Sequence, residues 1–188
     1  ADAYCTAVSV MDPERGLVFP YAGSGQEARI DGTVDEAAFA QPSGLCIVDR
    51  TLYVADSESN IIRAVALPPE NRVRTLAGGD LFEFGHRDGT GDEARFQHPL
   101  GVAASGATLF VANTYNHCIR TLDVNSGRVT TFAGTGDTGR VDGPARSARF
   151  HEPGGLAVTD EFVYVADTNN HALRRIRFRL QVRRRGEG

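Results

Sequence analysis

A four-residue motif is written three times in this chain, as Tyr53-Val-Ala-Asp56, Phe110-Val-Ala-Asn113 and Tyr164-Val-Ala-Asp167. Each is followed, seven residues after its last letter, by an arginine: Arg63, Arg120 and Arg174. Other letters keep the same register: Asp31-Gly32, Asp88-Gly89 and Asp142-Gly143, then Phe39, Phe96 and Phe150, then Pro42, Pro99 and Pro153. From Pro42 to Pro99 is 57 residues, and from Pro99 to Pro153 is 54. A period of this size, laid over short apolar runs and glycine-rich turns, marks an array of small sheets such as propeller blades, because one unit cannot bury its apolar faces alone.

Each repeat reads as four strands. The first follows proline and glycine, in Gly44-Leu-Cys-Ile-Val48, Gly101-Val-Ala-Ala104 and Gly155-Leu-Ala-Val158. Pro42, Pro99 and Pro153 sit where a strand begins and no ladder donor is lost. Gly44, Gly101 and Gly155 are read as structural, placed where a Cβ would collide at the crowded inner edge of a blade. The second strand is Leu52-Tyr-Val-Ala55, Leu109-Phe-Val-Ala112 and Val163-Tyr-Val-Ala166, rich in β-branched and aromatic residues. The third holds Ile61-Ile-Arg63, Cys118-Ile-Arg120 and Ala172-Leu-Arg174, and the fourth Val73-Arg-Thr-Leu-Ala77 and Val129-Thr-Thr-Phe-Ala133. Asn125-Ser-Gly127 reads as a hairpin turn.

Residues 4 to 23 match the third and fourth strands, with Tyr4-Cys-Thr-Ala-Val-Ser-Val10 set against His117-Cys-Ile-Arg-Thr-Leu-Asp123. The expected organisation is therefore the last two strands of a blade over 1–30, whole blades over 31–79 and 80–136, and an incomplete blade with an arginine-rich final strand over 137–183. That is an all-β partial propeller of about three and a quarter four-stranded blades, short of the roughly four that a closed ring needs. Self-association through open blade edges is one expected consequence. In the final strand Ile176, Phe178, Leu180 and Val182 alternate with Arg175, Arg177, Arg179, Gln181 and Arg183, giving one apolar and one cationic face.

Composition narrows the function. No run approaches the ~18 apolar residues of a membrane span, and Ala1 to Val10 lacks the basic and apolar regions of a secretory signal. All 20 basic residues are arginine, yet the net charge of −4 supplies no overall field for nucleic acid. Cys5, Cys46 and Cys118 form an odd set without a C-x-x-C pair, so they read as small buried hydrophobes rather than a disulfide framework or zinc knuckle. Catalytic residues and cofactors are not expected, since no nucleophile and base cluster in the pattern.

The YVAD-x-x-N/S motif with its trailing I-R and P-x-G-L resembles the NHL repeat. Stretches such as Ala22-Gly-Ser-Gly-Gln-Glu27, Phe39-Ala-Gln-Pro-Ser-Gly-Leu45, Phe84-Gly-His-Arg-Asp-Gly89, Gln97-His-Pro-Leu-Gly-Val102 and Ala133-Gly-Thr-Gly-Asp-Thr138 resemble the family that couples a thioredoxin-like domain to a six-bladed NHL propeller. The resemblance runs from about residue 18 to 176. It implies roughly half of such a propeller, acting as a protein-interaction scaffold whose partner is another protein or the remainder of the ring, in a thylakoid lumen or a cytoplasm. A second reading is a redox factor in which this half only presents substrate to a thioredoxin-like domain outside the chain, since Cys5, Cys46 and Cys118 do not match the family's redox cysteines. A third is RNA binding, as other NHL propellers use a basic face for it, against which the acidic balance counts.

Six residues at matching places, Asp56, Asn60, Asn113, His117, Asp167 and His171, would form polar rows near one loop face, either as a binding site or as turn residues satisfying backbone donors. His117 and His171 are possible metal ligands, but each stands alone in its repeat and Asn60 takes the third place, so no metal is expected. Arg63, Arg120 and Arg174 read as structural, each paired with a carboxylate or carbonyl in its blade. Asp88-Gly-Thr-Gly-Asp92 invites a calcium reading, but it lacks the acidic twelfth position of an EF-hand and works equally well as a turn.

Overall fold

The computed structural model describes residues 1–2 and 6–178 of the 188. Among them the chain is all-β, a partial propeller of four sheets in a row. A hairpin of β1 (Val8–Asp12) and β2 (Leu17–Ala22) comes first. The first blade follows with β3 (Gly32–Thr33), β4 (Pro42–Val48), β5 (Thr51–Asp56), β6 (Ile61–Ala66) and β7 (Arg72–Ala77), in the order β3-β7-β6-β5-β4. The second blade repeats this with β8 (Gly89–Thr90), β9 (Pro99–Ser105), β10 (Thr108–Asn113), β11 (Cys118–Asp123) and β12 (Arg128–Ala133). The third has β13 (Pro153–Val158), β14 (Phe162–Asp167) and β15 (Ala172–Arg177).

Two features differ from the four-strand reading. The Asp-Gly loops are not merely connections: β3 pairs with β7 through Gly32↔Val73, and β8 with β12 through Val129↔Gly89, adding a short fifth strand to each outer edge. The N-terminal hairpin is also shifted by two residues from the linear match. Val8 lies opposite Ala22 as Ile119 lies opposite Ala133, so Ser9, not Ala7, stands where Arg120 stands. Tyr4 and Cys5 lie outside the described residues, as do Arg179 to Arg183.

Within β15 and Phe178 the alternation of the sequence appears. Ile176 and Phe178 turn inward, Phe178 meeting Phe110 at 5.0 Å, while the guanidiniums of Arg175 and Arg177 each lie 5.1 Å from the Phe162 ring centre.

The core lies between blades. Tyr53, Ala55, Ile62 and Ala64 of the first blade pack on Phe96, Leu109, Leu122 and Val129 of the second, and Phe110, Ala112 and Ile119 pack likewise on Phe150, Val163 and Val165. Phe39, Phe96 and Phe150 are wholly buried, each contributing roughly 1.5–3 kcal/mol by leaving water. Inner strands approach closely: a Cβ on Gly44 would meet the Leu100 carbonyl, and one on Gly101 the Gly154 carbonyl. Side chains are excluded there because a neighbouring backbone fills the space. Antiparallel alternation puts the second-to-third-strand turns and the long interblade loops on one face of the arc, and the remaining hairpins on the other.

Candidate binding face

Each second-to-third-strand turn is a tight loop whose last residue is left-handed: Asn60 at φ 56°, His117 at φ 50° and His171 at φ 50°. Asn and His are among the side chains that tolerate this conformation. The turns close alike, with the amides of Asn60, His117 and His171 donating to Ser57, Thr114 and Thr168 at 3.1, 3.1 and 3.0 Å.

The side chains of Asp56, Asn113 and Asp167 are fully withdrawn from solvent. Asp56 accepts from the amides of Ala40 at 3.0 Å and Gln41 at 2.8 Å; Asn113 accepts from Gln97 N at 2.7 Å, and Asp167 from His151 N at 2.8 Å. They fasten the segment after each interblade phenylalanine to the end of the second strand. The arginine completes the cluster. Arg63 meets Asp31 at 2.8 Å, Asp56 at 3.4 Å and the carbonyls of Ala38 and Ile30 at 2.9 and 2.7 Å, above the Phe39 ring. Arg120 meets Asp88 at 2.6 Å and the carbonyls of Arg95 and Arg87 at 3.0 Å each, above Phe96. Arg174 meets Asp142 at 2.7 Å and Asp167 at 2.8 Å, above Phe150. The letters that recur in sequence thus converge on one knot per blade, with the arginine wholly buried in the first two and the Asp-Gly aspartate at the solvent edge of each. Asp88 is engaged there, by Arg120 and by the Thr131 hydroxyl at 3.1 Å.

Asn60 and His117 do something different: they join blades. Asn60 Oδ1 accepts from His98 N at 2.7 Å and His117 Nδ1 from Glu152 N at 3.2 Å, each across to the next blade. Burial, and secondarily the nearby His151, push the His117 pKa down, which keeps Nδ1 free to accept. Two hydroxyls that sequence reasoning missed act beside them, Ser57 Oγ donating to Pro99 O at 2.9 Å and Thr114 Oγ1 to Pro153 O at 2.8 Å. A hydroxyl following each motif was the available signal. His171 is exposed and makes no such bond among the described residues.

What remains accessible on this face differs from repeat to repeat. Between the fixed positions stand Glu58, Tyr115 and Asn169, all exposed. Tyr115 stacks on His98 at 4.4 Å, His98 Nδ1 lies 3.5 Å from Glu58 Oε1, and Asn169 donates to Glu152 at 2.7 Å. The middle interblade loop is two residues longer than its counterparts and carries Phe82 and Phe84, 89% and 60% exposed. Arg95 holds that loop in shape, bonding Glu83 at 2.5 Å.

Residues 150–176 match the NHL repeat family model. The chain is 42% identical over 179 residues to SUPPRESSOR OF QUENCHING 1, chloroplastic, of Arabidopsis thaliana, covering 89% of this chain and 17% of that protein. To human NHL repeat-containing protein 2 it is 43% identical over 175 residues, 85% of this chain and 24% of that one. The chain therefore spans between about a sixth and a quarter of the curated relatives it matches. Among solved structures, an auxiliary nutrient binding protein from Bacteroides thetaiotaomicron superimposes with a TM-score of 0.71 at 22% identity, over 91% of this chain and 42% of that one. A structural genomics protein of unknown function from the same organism gives 0.72 at 19%, over 92% and 42%. Those two likenesses concern the fold.

Proposed function

The chain is an NHL repeat protein related to NHL repeat-containing protein 2 and SUPPRESSOR OF QUENCHING 1, and we propose that it serves as a protein-interaction scaffold, the propeller portion of a longer polypeptide of the thioredoxin-like/NHL kind. The observation that carries this reading is the division of labour on the turn face. In the first two blades the shared turn positions are consumed in folding, whereas the accessible positions between them vary from repeat to repeat, and a partner that distinguishes the blades reads what varies. Tyr115, Phe82 and Phe84 are aromatic side chains of the type that anchors interfaces, held on turns fixed from below.

A redox role for this half has less support. Burial pushes the Cys46 thiol up to about 12 and the Cys118 thiol up to about 11, the reverse of what a nucleophilic thiolate needs.

Photocrosslinking tests the scaffold reading. A photoreactive residue at position 82 or 115 should capture a protein that one at Asn125, on the opposite face, does not. Tyr115→Ala should weaken capture without lowering the melting temperature. Crosslinks confined to position 125 would overturn the assignment of the face.

A further inference from the structure

We propose that His117 is a proton-operated latch on the joint between the second and third blades: neutral, it holds the backbone amide of Glu152 across the joint, and protonated, it lets that amide go. The inference stands whether or not the scaffold reading holds, because it concerns a hydrogen bond inside the arc.

Two joints of the chain are built on one plan with different parts. The residue before the strand-opening proline, His98 ahead of Pro99 and Glu152 ahead of Pro153, donates its amide to the last residue of the turn in the preceding blade. At the first joint the acceptor is Asn60 Oδ1, at 2.7 Å, an amide oxygen that accepts at every pH. At the second it is His117 Nδ1, at 3.2 Å, which accepts only while the ring is neutral, since an imidazolium carries a proton on both nitrogens. Protonation thus replaces a hydrogen bond by two N–H groups that face each other.

The held residue has a second arrangement ready. His98 and Glu152 are both left-handed, at φ 48° and 51°, a conformation costly for a residue with a side chain and contrary to the extended preference of one that precedes proline. Gln41, in the same place ahead of Pro42, is not left-handed. Its amide turns instead to Asp56 Oδ1 of its own blade, at 2.8 Å, beside that of Ala40 at 3.0 Å. The third blade offers the same acceptor, for Asp167 Oδ1 takes the His151 amide at 2.8 Å. Released, Glu152 adopts the arrangement of Gln41 and shares Asp167 Oδ1 with His151. Its carboxylate accepts from Asn169 at 2.7 Å, so the change is carried to an accessible residue of the third-blade turn.

The titratable groups facing His117 among the described residues are His151, whose ring lies 5.7 Å away at 76° to it, and the Glu152 carboxylate. Burial and His151 hold the ring below the usual histidine range, with Glu152 acting against them. The folded chain therefore takes up this proton less readily than the unfolded one. The joint is intact above an unfolded pKa of about 6.5, and its contribution is lost as pH falls from there toward the folded value.

Nuclear magnetic resonance on the 188-residue chain tests this, following the His117 ring and the amides of Glu152 and His98 from about pH 7.5 to about pH 5. The Glu152 amide should move with the His117 ring, with a midpoint below about 6.5. Its protection from exchange, taken against the intrinsic rate at each pH, should fall by about tenfold, as the loss of one neutral hydrogen bond implies. The His98 amide should stay as it is. His117→Asn installs the acceptor that Asn60 supplies from the same left-handed position, and should hold the Glu152 amide across the whole range. His151→Gln, which places there the residue that the second blade has at Gln97, should raise the midpoint and leave the transition in place. A Glu152 transition that survives in His117→Asn would overturn the proposal, as would one that vanishes in His151→Gln. So would a His117 ring that stays neutral down to about pH 5, or one that titrates while the Glu152 amide does not respond.

Discussion

Arg63 and Asp56 are both wholly withdrawn from water and meet at 3.4 Å, Nη1 to Oδ2, across the turn that separates the second and third strands of the first blade. Burying two charges costs several kcal/mol, which their attraction offsets only when the remaining hydrogen-bonding capacity is used. Here it is, except that Nε of Arg63, like Nε of Arg120, finds no partner among the described residues. Both guanidiniums work through their terminal nitrogens, which grip the Asp-Gly aspartate and two carbonyls of the preceding loop.

The pair predicts an asymmetry between its members. The second blade builds the same knot with Asn113, which bonds Gln97 N but brings no charge to Arg120. Asp56→Asn should accordingly cost no more than about 1–2 kcal/mol. Arg63→Met strands a buried carboxylate and releases the loop, and should cost about 3–5 kcal/mol. Urea denaturation of the two variants would measure the order, and an equal loss would show that the charge itself, not the hydrogen bonds, is needed.

Acid dependence should divide two aspartates of opposite behaviour. Burial holds the Asp56 carboxyl above its ordinary range, despite its amide donors and Arg63. The folded state therefore binds that proton more tightly than the unfolded chain, and Asp56 takes stability away as pH rises from the unfolded to the folded pKa. Asp88 is also pushed up by burial, but the Thr131 amide and Arg120 outweigh this and hold it low. Its contribution is present above the unfolded pKa and is lost as pH falls through the folded one. Melting temperatures followed through the region around pH 4 should show a shallower acid decline in Asp88→Asn and a steeper one in Asp56→Asn. The same slope in both variants would contradict the assignment.

Both described thiols should be silent in the native protein. Raised to about 12 and about 11, Cys46 and Cys118 stay protonated near neutrality, and a thiol-reactive dye at about pH 8 should label them only after denaturation. Stability tied to the neutral thiols is intact below an unfolded pKa of about 8.5 and declines as pH rises toward the folded values. A disulfide-reduction assay should give no rate that disappears when all three cysteines are replaced. Fast labelling of the folded chain would reopen a redox role.

Much of the architecture was legible because it rests on period-two alternation and on prolines at strand starts, as at Pro99 before Gly101. The Asp-Gly strands were hidden, since two residues are too few to show a period and their pairing with β7 and β12 depends on Arg63 and Arg120 drawing the aspartates in. The hairpin register was misread by two positions because Ala7-Val8-Ser9-Val10 matches its counterpart weakly and the pairing is decided by Val8 against Ala22. In the polar rows, sequence showed recurrence without showing direction. Asp56 turns into its own blade and Asn60 out to the next, a distinction set by the left-handed backbone at Asn60.

Gly101 provides the sharpest test of how tightly the blades approach. Its ideal Cβ would fall against the Gly154 carbonyl, with Ala112 Cβ at 3.4 Å on the other side, so neither wall is the yielding end of a long side chain. Gly101→Val must push β13 away from β9, opening the contact in which Thr114 bonds the Pro153 carbonyl. Overpacking and backbone displacement of this kind cost on the order of a few kcal/mol. Calorimetry should show a melting temperature lowered by several degrees or more for a chain of this size. Gly155→Val, which meets open space in the single chain, supplies the control, and equal losses in the two variants would mean that the glycines are needed for backbone freedom rather than for contact between blades.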